Sequence, residues 1–248
     1  MSPAVLITGL NGSLTSVIAA RAKTLGFLTI GTTRSEDGPL SAVDVWLPGL
    51  DLTVPSDADR LVLSLRERTT GTLHVVHGAG FFGPFETMTD SRPQDLIQMV
   101  ESNLTTLLVL AHAVCPLMVE RGGGVLAAFS CHAVDRDYPR MVTFAAVKKA
   151  VEVVMAGLAS ELAGQGVVPL TFAPATIDTP VERERVPNGD VERWMHPVEV
   201  ADIVLSHLLT PNPLLAGNVI HLYRHSDRYF VDGFLSRIGA VAPCPSQT

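Results

Sequence analysis

A chain of 248 residues with 47 % apolar and 17 % charged side chains has enough core for one large α/β domain and argues against disorder. Its 18 basic and 25 acidic residues leave a net charge of −7 with no basic block, which argues against nucleic acid as a partner on electrostatic grounds. Cys115, Cys131 and Cys244 are odd in number and lack metal-ligand spacing, so neither a disulfide framework nor a metal site is expected, and a reducing cytoplasm fits.

Residues 1–10 are apolar, but they lack a basic n-region and run straight into a glycine loop. They therefore read as a strand and not as a signal peptide. No run approaches the ~18 apolar residues of a membrane span. Ala4–Thr8 is the first strand; the loop Gly9-Leu10-Asn11-Gly12-Ser13-Leu14-Thr15 leads into an Ala-rich helix ending near Leu25. Phe27–Thr32 is the second strand, and Arg34–Ala42 is too broken for a good helix. A third strand near Val43–Leu47 precedes Asp51-Leu52-Thr53. Ser56–Thr69 is a helix with Ser56 as N-cap.

Leu73–His77 is the fourth strand and stops at Gly78-Ala79-Gly80. One long helix spans Gln94 to Val119, with Pro116 kinking its end. Gly124–Ser130, Phe144–Ala163 and Val167–Ala173 read as strand, helix and strand. A Pro-, Arg- and Glu-rich excursion over 180–197 reads as a mobile lid, Val198–Leu209 as a helix and Gly217–Tyr223 as the last strand. Residues 1–240 make a single domain and 241–248 a loose tail. The alternation predicts a doubly wound, Rossmann-like α/β fold: a parallel sheet of about seven strands with helices on both faces.

Two local patterns carry chemistry. Glycines after a first strand let backbone approach a pyrophosphate at a helix N-terminus, although Thr8-Gly9-x-x-Gly12 alone also fits an ordinary tight turn. Phe144 and Lys148 stand four apart on a helix, so ring and ammonium share one face. Lys148 is one of only 3 lysines against 15 arginines, and it sits among apolar residues. His77 is expected to pack or hydrogen-bond between strands.

Taken together in order, Thr8-Gly9, Asp51-Leu52-Thr53, Gly78-Ala79-Gly80, Asn103, Ser130-Cys131, Phe144-x-x-x-Lys148 and Pro174-Ala175-Thr176-Ile177-Asp178-Thr179 resemble the short-chain dehydrogenase/reductase family over residues 4–223. The resemblance implies a nicotinamide cofactor cradled by Gly9, Asn11, Gly12, Ser13 and Leu14. Asp51 would touch the adenine amine, with Leu52 or the Gly78-Ala79-Gly80 backbone along the ring. Pro174, Ile177 and Thr179 would lie near the nicotinamide. Arg34 after the second strand suits a 2′-phosphate and hence NADP(H), with NAD(H) as the alternative; a solvent-facing arginine is the plain reading.

The resemblance also marks departures. Against the family's T-G-x-x-x-G-x-G, Ser13 and Thr15 stand where relatives carry glycine; read as T-G-x-x-G-x-x-G, Gly9 and Gly12 fit and only Thr15 departs, and a side chain there would push the helix off the sheet or narrow the pyrophosphate site. Counting from the lysine, Phe144 takes the place of the proton-exchanging tyrosine and Cys131 that of the carbonyl-orienting serine. Asn103 and Lys148 match. A positioned acid is typically worth ~10²–10⁴ in rate, so ordinary ketone reduction should suffer most. Tyr138, in the loop before Phe144, could supply a hydroxyl or merely cap the loop. Cys131 could be a nucleophile or a buried filler.

Two functions follow. One is an NADP(H)-linked oxidoreductase with an altered proton relay, acting on a C=C, imine or activated carbonyl of a small molecule. The other is a repurposed relative without hydride transfer: a dehydratase-, cyclase- or lyase-type enzyme, or a partner subunit. Apolar outer faces on helices 94–119 and 144–163 imply a homodimer or homotetramer. The arginine-rich, lysine-poor composition fits a GC-rich bacterial genome.

Overall fold

Short apolar runs bounded by glycine and proline become the strands β1 (Ala4–Thr8), β2 (Leu28–Thr32), β3 (Val45–Leu47), β4 (Leu73–His77), β5 (Gly124–Phe129), β6 (Val167–Pro174) and β7 (Val219–Leu222). In the computed structural model, which describes residues 2–38, 40–83, 86–135 and 139–224, they form one 7-stranded sheet. The order is β3-β2-β1-β4-β5-β6-β7, every pair parallel. The connecting helices are α1 (Ser13–Thr24), α2 (Pro55–Arg68), α3 (Pro93–Val100), α4 (Thr106–Glu120), α5 (Val142–Glu161), α6 (Pro180–Arg185) and α7 (Pro197–Leu209).

Period-2 alternation sorts strand residues to the two faces. Leu6, Val75 and Leu126 point into a core with Leu61 and Leu65 of α2, Leu110 and Val114 of α4, and Val151 and Met155 of α5. Val5, Ile7, Val76 and Val125 point the other way, against Ile18 and Ala22 of α1 and Val200, Val204 and Leu208 of α7. Each fully buried leucine contributes ~1.5–3 kcal/mol. β1 has β2 on one side and β4 on the other, so the order in which strands are added reverses there and opens a crevice at the carboxyl ends of these strands, where such sheets bind ligands.

Three expectations change. The single helix over 94–119 is interrupted not at Pro116, which α4 carries inside it, but by a π-helical turn at Glu101–Thr105. Pro55, and not Ser56, opens α2, with Val54 as N-cap; proline tolerates the first helical position because its missing N–H has no intrahelical partner there. Finally, the helical stretch Pro93–Glu120 is by length and composition apolar enough for a membrane span, contrary to the sequence reading. Half of it is buried, with Leu107, Leu110, Leu117 and Met118 in the core.

Candidate active site

The crevice is a cleft of about 730 Å³. It is lined by the start of α1, the β4–α3 loop, the π-helical turn, the end of β5, the first turns of α5 and the lid over 180–197. Twelve residues expected at the site line it: Gly12, Ser13, Leu14, Gly78, Gly80, Asn103, Cys131, Phe144, Lys148, Pro174, Ile177 and Thr179.

The glycine loop is knotted by Thr15. Its hydroxyl donates to Gly9 O (2.6 Å) and Gly12 O (3.0 Å), and its side chain is buried. Gly9 has φ +67°, and a Cβ there would meet Ala79 N at 2.7 Å, so only glycine fits where the two loops touch. A Cβ on Gly78 would come within 2.1 Å of Thr15 Cγ2. Of the two effects expected of the Thr15 side chain, its methyl is accommodated in the space that Gly78 leaves empty, while Thr15 does stand on the cleft wall. Gly12 caps α1 without a side-chain bond, and the first turn of α1 carries no acidic residue. The N–H groups there lack intrahelical partners. With Gly12, Ser13 and Leu14 on the cleft wall, this is a donor set suited to a diphosphate.

On the far side, α5 presents Phe144 and Lys148 together, with the ammonium 5.6 Å from the ring centroid. Phe144 is buried and packs edge-on against Phe82, centroids 4.4 Å apart. Lys148 Nζ donates to Phe129 O (3.1 Å). Burial pulls the lysine down to about 8. Asn103 is buried in the π-helical turn, where the extra residue lets its Nδ2 donate to both Met99 O (2.9 Å) and Phe81 O (2.8 Å). Its Oδ1 faces Gly80, where a Cβ would sit 2.7 Å from that oxygen and 3.8 Å from Lys148 Nζ.

At the end of β5, Ser130 and Cys131 diverge. Ser130 Oγ is bonded to buried Glu152 (2.6 Å) and to Lys148 O (3.3 Å), so it braces α5. Cys131 Sγ accepts from Ala133 N (3.4 Å) and lies 3.8 Å from His132 Nδ1. Burial raises the Cys131 thiol, outweighing the Ala133 N–H and the Lys148 charge, which favours the buried-filler reading over a lysine-activated nucleophile. His77 bonds Thr8 Oγ1 (2.9 Å) and Thr106 Oγ1 (3.2 Å) and is held down to about 3 by burial and by Lys148. It ties β1 and β4 to α4.

Other expected residues stand apart from the cleft. Leu52 turns its side chain into the core, so any ring contact there falls to backbone. Asp51 Oδ1 accepts from Thr53 N (2.9 Å) and Thr53 Oγ1 (2.7 Å), shaping the entry to α2. Arg34 is exposed on the loop after β2, and Asn11 holds that loop through Asp37 O (3.0 Å). Gly9 and Ala79 contribute backbone behind the wall. Tyr138 and the tail over 241–248 lie outside the described residues.

The sequence reading missed Phe81, Phe82 and Arg185. The Arg185 guanidinium lies 4.1 Å over the Phe82 ring, donates to Phe82 O (3.2 Å) and pairs with Glu182 (3.4 Å), which latches the lid helix α6 to the β4–α3 loop. Thr179 Oγ1 caps α6 by accepting from Glu182 N (3.2 Å). Two consecutive phenylalanines directly after the strand-ending glycines were the available signal. Arg185 had none.

A parallel sheet with a glycine loop at its switch point and an Asn, Lys and aromatic cluster beyond it defines a dinucleotide-type α/β enzyme scaffold. The short chain dehydrogenase pattern matches residues 3–189, and the chain belongs to that family. An uncharacterized oxidoreductase of Staphylococcus aureus (strain MRSA252) is 24 % identical over 212 residues, covering 83 % of this chain and 90 % of the relative. Another, from strain USA300, is 26 % identical over 172 residues, or 69 % of this chain and 73 % of the relative. Among solved structures, a short-chain type dehydrogenase/reductase from Mycobacterium ulcerans superposes with TM-score 0.82 at 20 % identity, covering 90 % of each chain. A variant of actinorhodin polyketide ketoreductase with NADPH gives 0.80 at 21 %, covering 90 % of this chain and 96 % of that one. A tyrosine-to-phenylalanine variant of ElxO with NADPH bound gives 0.79 at 17 %, covering 89 % and 97 %. The structural likenesses show the fold, and the family match with the two named relatives supports an oxidoreductase.

Proposed function

We propose that the protein is an NADP(H)-linked oxidoreductase acting on a small organic metabolite, a conjugated C=C, an imine or an activated carbonyl, without a tyrosine as its proton donor. The observation that carries this reading is the pair Phe144 and Lys148 facing one cleft with the uncapped N-terminus of α1. The first turn of α1 would hold the diphosphate, Lys148 the ribose hydroxyls, Pro174, Ile177 and Thr179 the nicotinamide amide, and Arg34 the 2′-phosphate. The bound cofactor supplies a hydride. Phe144 has no proton to give, so the counter-proton comes from water ordered by Asn103 Oδ1 and the Lys148 ammonium, while Cys131 touches the substrate. ElxO and the polyketide ketoreductase, whose solved structures carry NADP or NADPH, support the cofactor assignment.

The exposed apolar residues Leu108 of α4 and Val153 of α5 support a homodimer built through these helices, and we place the protein in the cytoplasm. The test is Phe144→Tyr. With NADPH present, the variant should gain ~10²-fold or more in reduction of simple ketones over the parent chain. A variant that binds NADPH yet gains nothing overturns the assignment of Phe144 to the acid position.

A further inference from the structure

The chain has three lysines, and two are held by carboxylates. Lys23 pairs with Asp44 at 3.0 Å; Lys149 pairs with Glu152 at 2.8 Å and with Asp135 at 3.1 Å. Lys148 makes no ion pair among the described residues. Its Nζ donates to one carbonyl oxygen, Phe129 O, and lies over the Phe144 ring. An ammonium has three protons, and with one on Phe129 O and Lys148 lining the cleft, two are left for a partner there. The walls around it are largely apolar, with Phe82, Phe129, Met141 and Phe144 among them. A desolvated lysine without a counter-ion is the arrangement that yields a free amine near neutral pH, and free amines condense with carbonyls.

We propose that, when no dinucleotide covers it, Lys148 captures small apolar or aromatic aldehydes as a Schiff base. The amine nitrogen adds to the aldehyde carbon, the nitrogen loses its protons and the carbonyl oxygen leaves as water, so amine and aldehyde give imine and water with no change in oxidation state. This activity goes beyond hydride transfer and does not depend on it.

The ionisable groups facing the amine agree with a free base. His77 stays neutral above its depressed value of about 3, and the raised Cys131 thiol stays protonated at neutral pH, while Glu182 on the same cleft is paired with Arg185 at 3.4 Å and buried Glu152 with Lys149 at 2.8 Å, so each of these carboxylates already has a cation. The lysine's own value of about 8 places a far larger free-amine fraction there than on an ordinary lysine near 10.4.

The probe is benzaldehyde with cyanoborohydride at neutral pH on the cofactor-free full chain. The reagent's hydride goes to the imine carbon and a water proton to nitrogen, leaving a stable benzylamine. Fragment mass spectra then separate Lys148 from Lys149. Lys148 should be labelled at least ~10-fold faster than Lys23 and Lys149, with a rate rising to a plateau above about pH 8. A Lys148→Arg variant with an unchanged circular dichroism spectrum should lose that label and keep the slow ones. Labelling that follows surface exposure alone, or that persists at the same rate on the variant's other amines with none lost, overturns the proposal.

Discussion

Adding one methyl at Gly78 tests how the glycine loop is built. The new Cβ would stand 2.1 Å from Thr15 Cγ2 and 3.2 Å from Thr8 O, where carbon atoms normally keep ~3.5–4.0 Å. Either Thr15 rotates and gives up its bonds to Gly9 O and Gly12 O, or α1 moves off β4. Overpacking costs ~1–3 kcal/mol and a lost hydrogen bond ~1 kcal/mol, so Gly78→Ala should destabilise by roughly 2–3 kcal/mol. Thr15→Ser keeps the hydroxyl and removes the methyl. In that background the same Gly78→Ala change should cost less than ~1 kcal/mol, a coupling of ~1–2 kcal/mol. Urea unfolding of the four proteins measures this. Equal cost in both backgrounds would refute the claim that Thr15 and Gly78 are complementary.

Two further predictions rest on perturbed groups. His77 is held down to about 3 and His74 to about 4, both first by burial, whereas unfolded histidines take a proton near 6.5. The unfolded state therefore binds more protons as pH falls, and stability that is full above about 6.5 is lost toward 3, each histidine contributing a slope of ~1.4 kcal/mol per pH unit. Denaturation midpoints across that range should show a steep acid limb, made shallower by His77→Gln; an unchanged limb would contradict the buried neutral assignment. The Cys131 thiol, raised by burial, should alkylate with iodoacetamide more slowly at neutral pH than a free cysteine, and a faster rate would restore the activated-thiolate reading.

How legible was all this in the chain itself? The strands and most helices followed from periodicity, because buried parallel strands read as apolar runs such as Ala4–Thr8. The helix pair Phe144 and Lys148 meets as the i,i+4 rule requires. What could not be read is what depends on contacts distant in sequence. Thr15 looked like an obstacle because its complement, Gly78, lies on another strand end. The π-helical turn at Asn103 leaves no periodic mark, since it is fixed by a bond to Phe81 O. The lid latch through Arg185 and Phe82 joins residues 103 apart in sequence, and neither belongs to a recognisable motif.

The most direct test of the account is titration of the purified chain with NADPH and with NADH, followed by nucleotide fluorescence. The account predicts saturable binding of both below millimolar concentration, tighter for NADPH, with that preference lost in Arg34→Ala. No saturation by either nucleotide at millimolar concentration would contradict it.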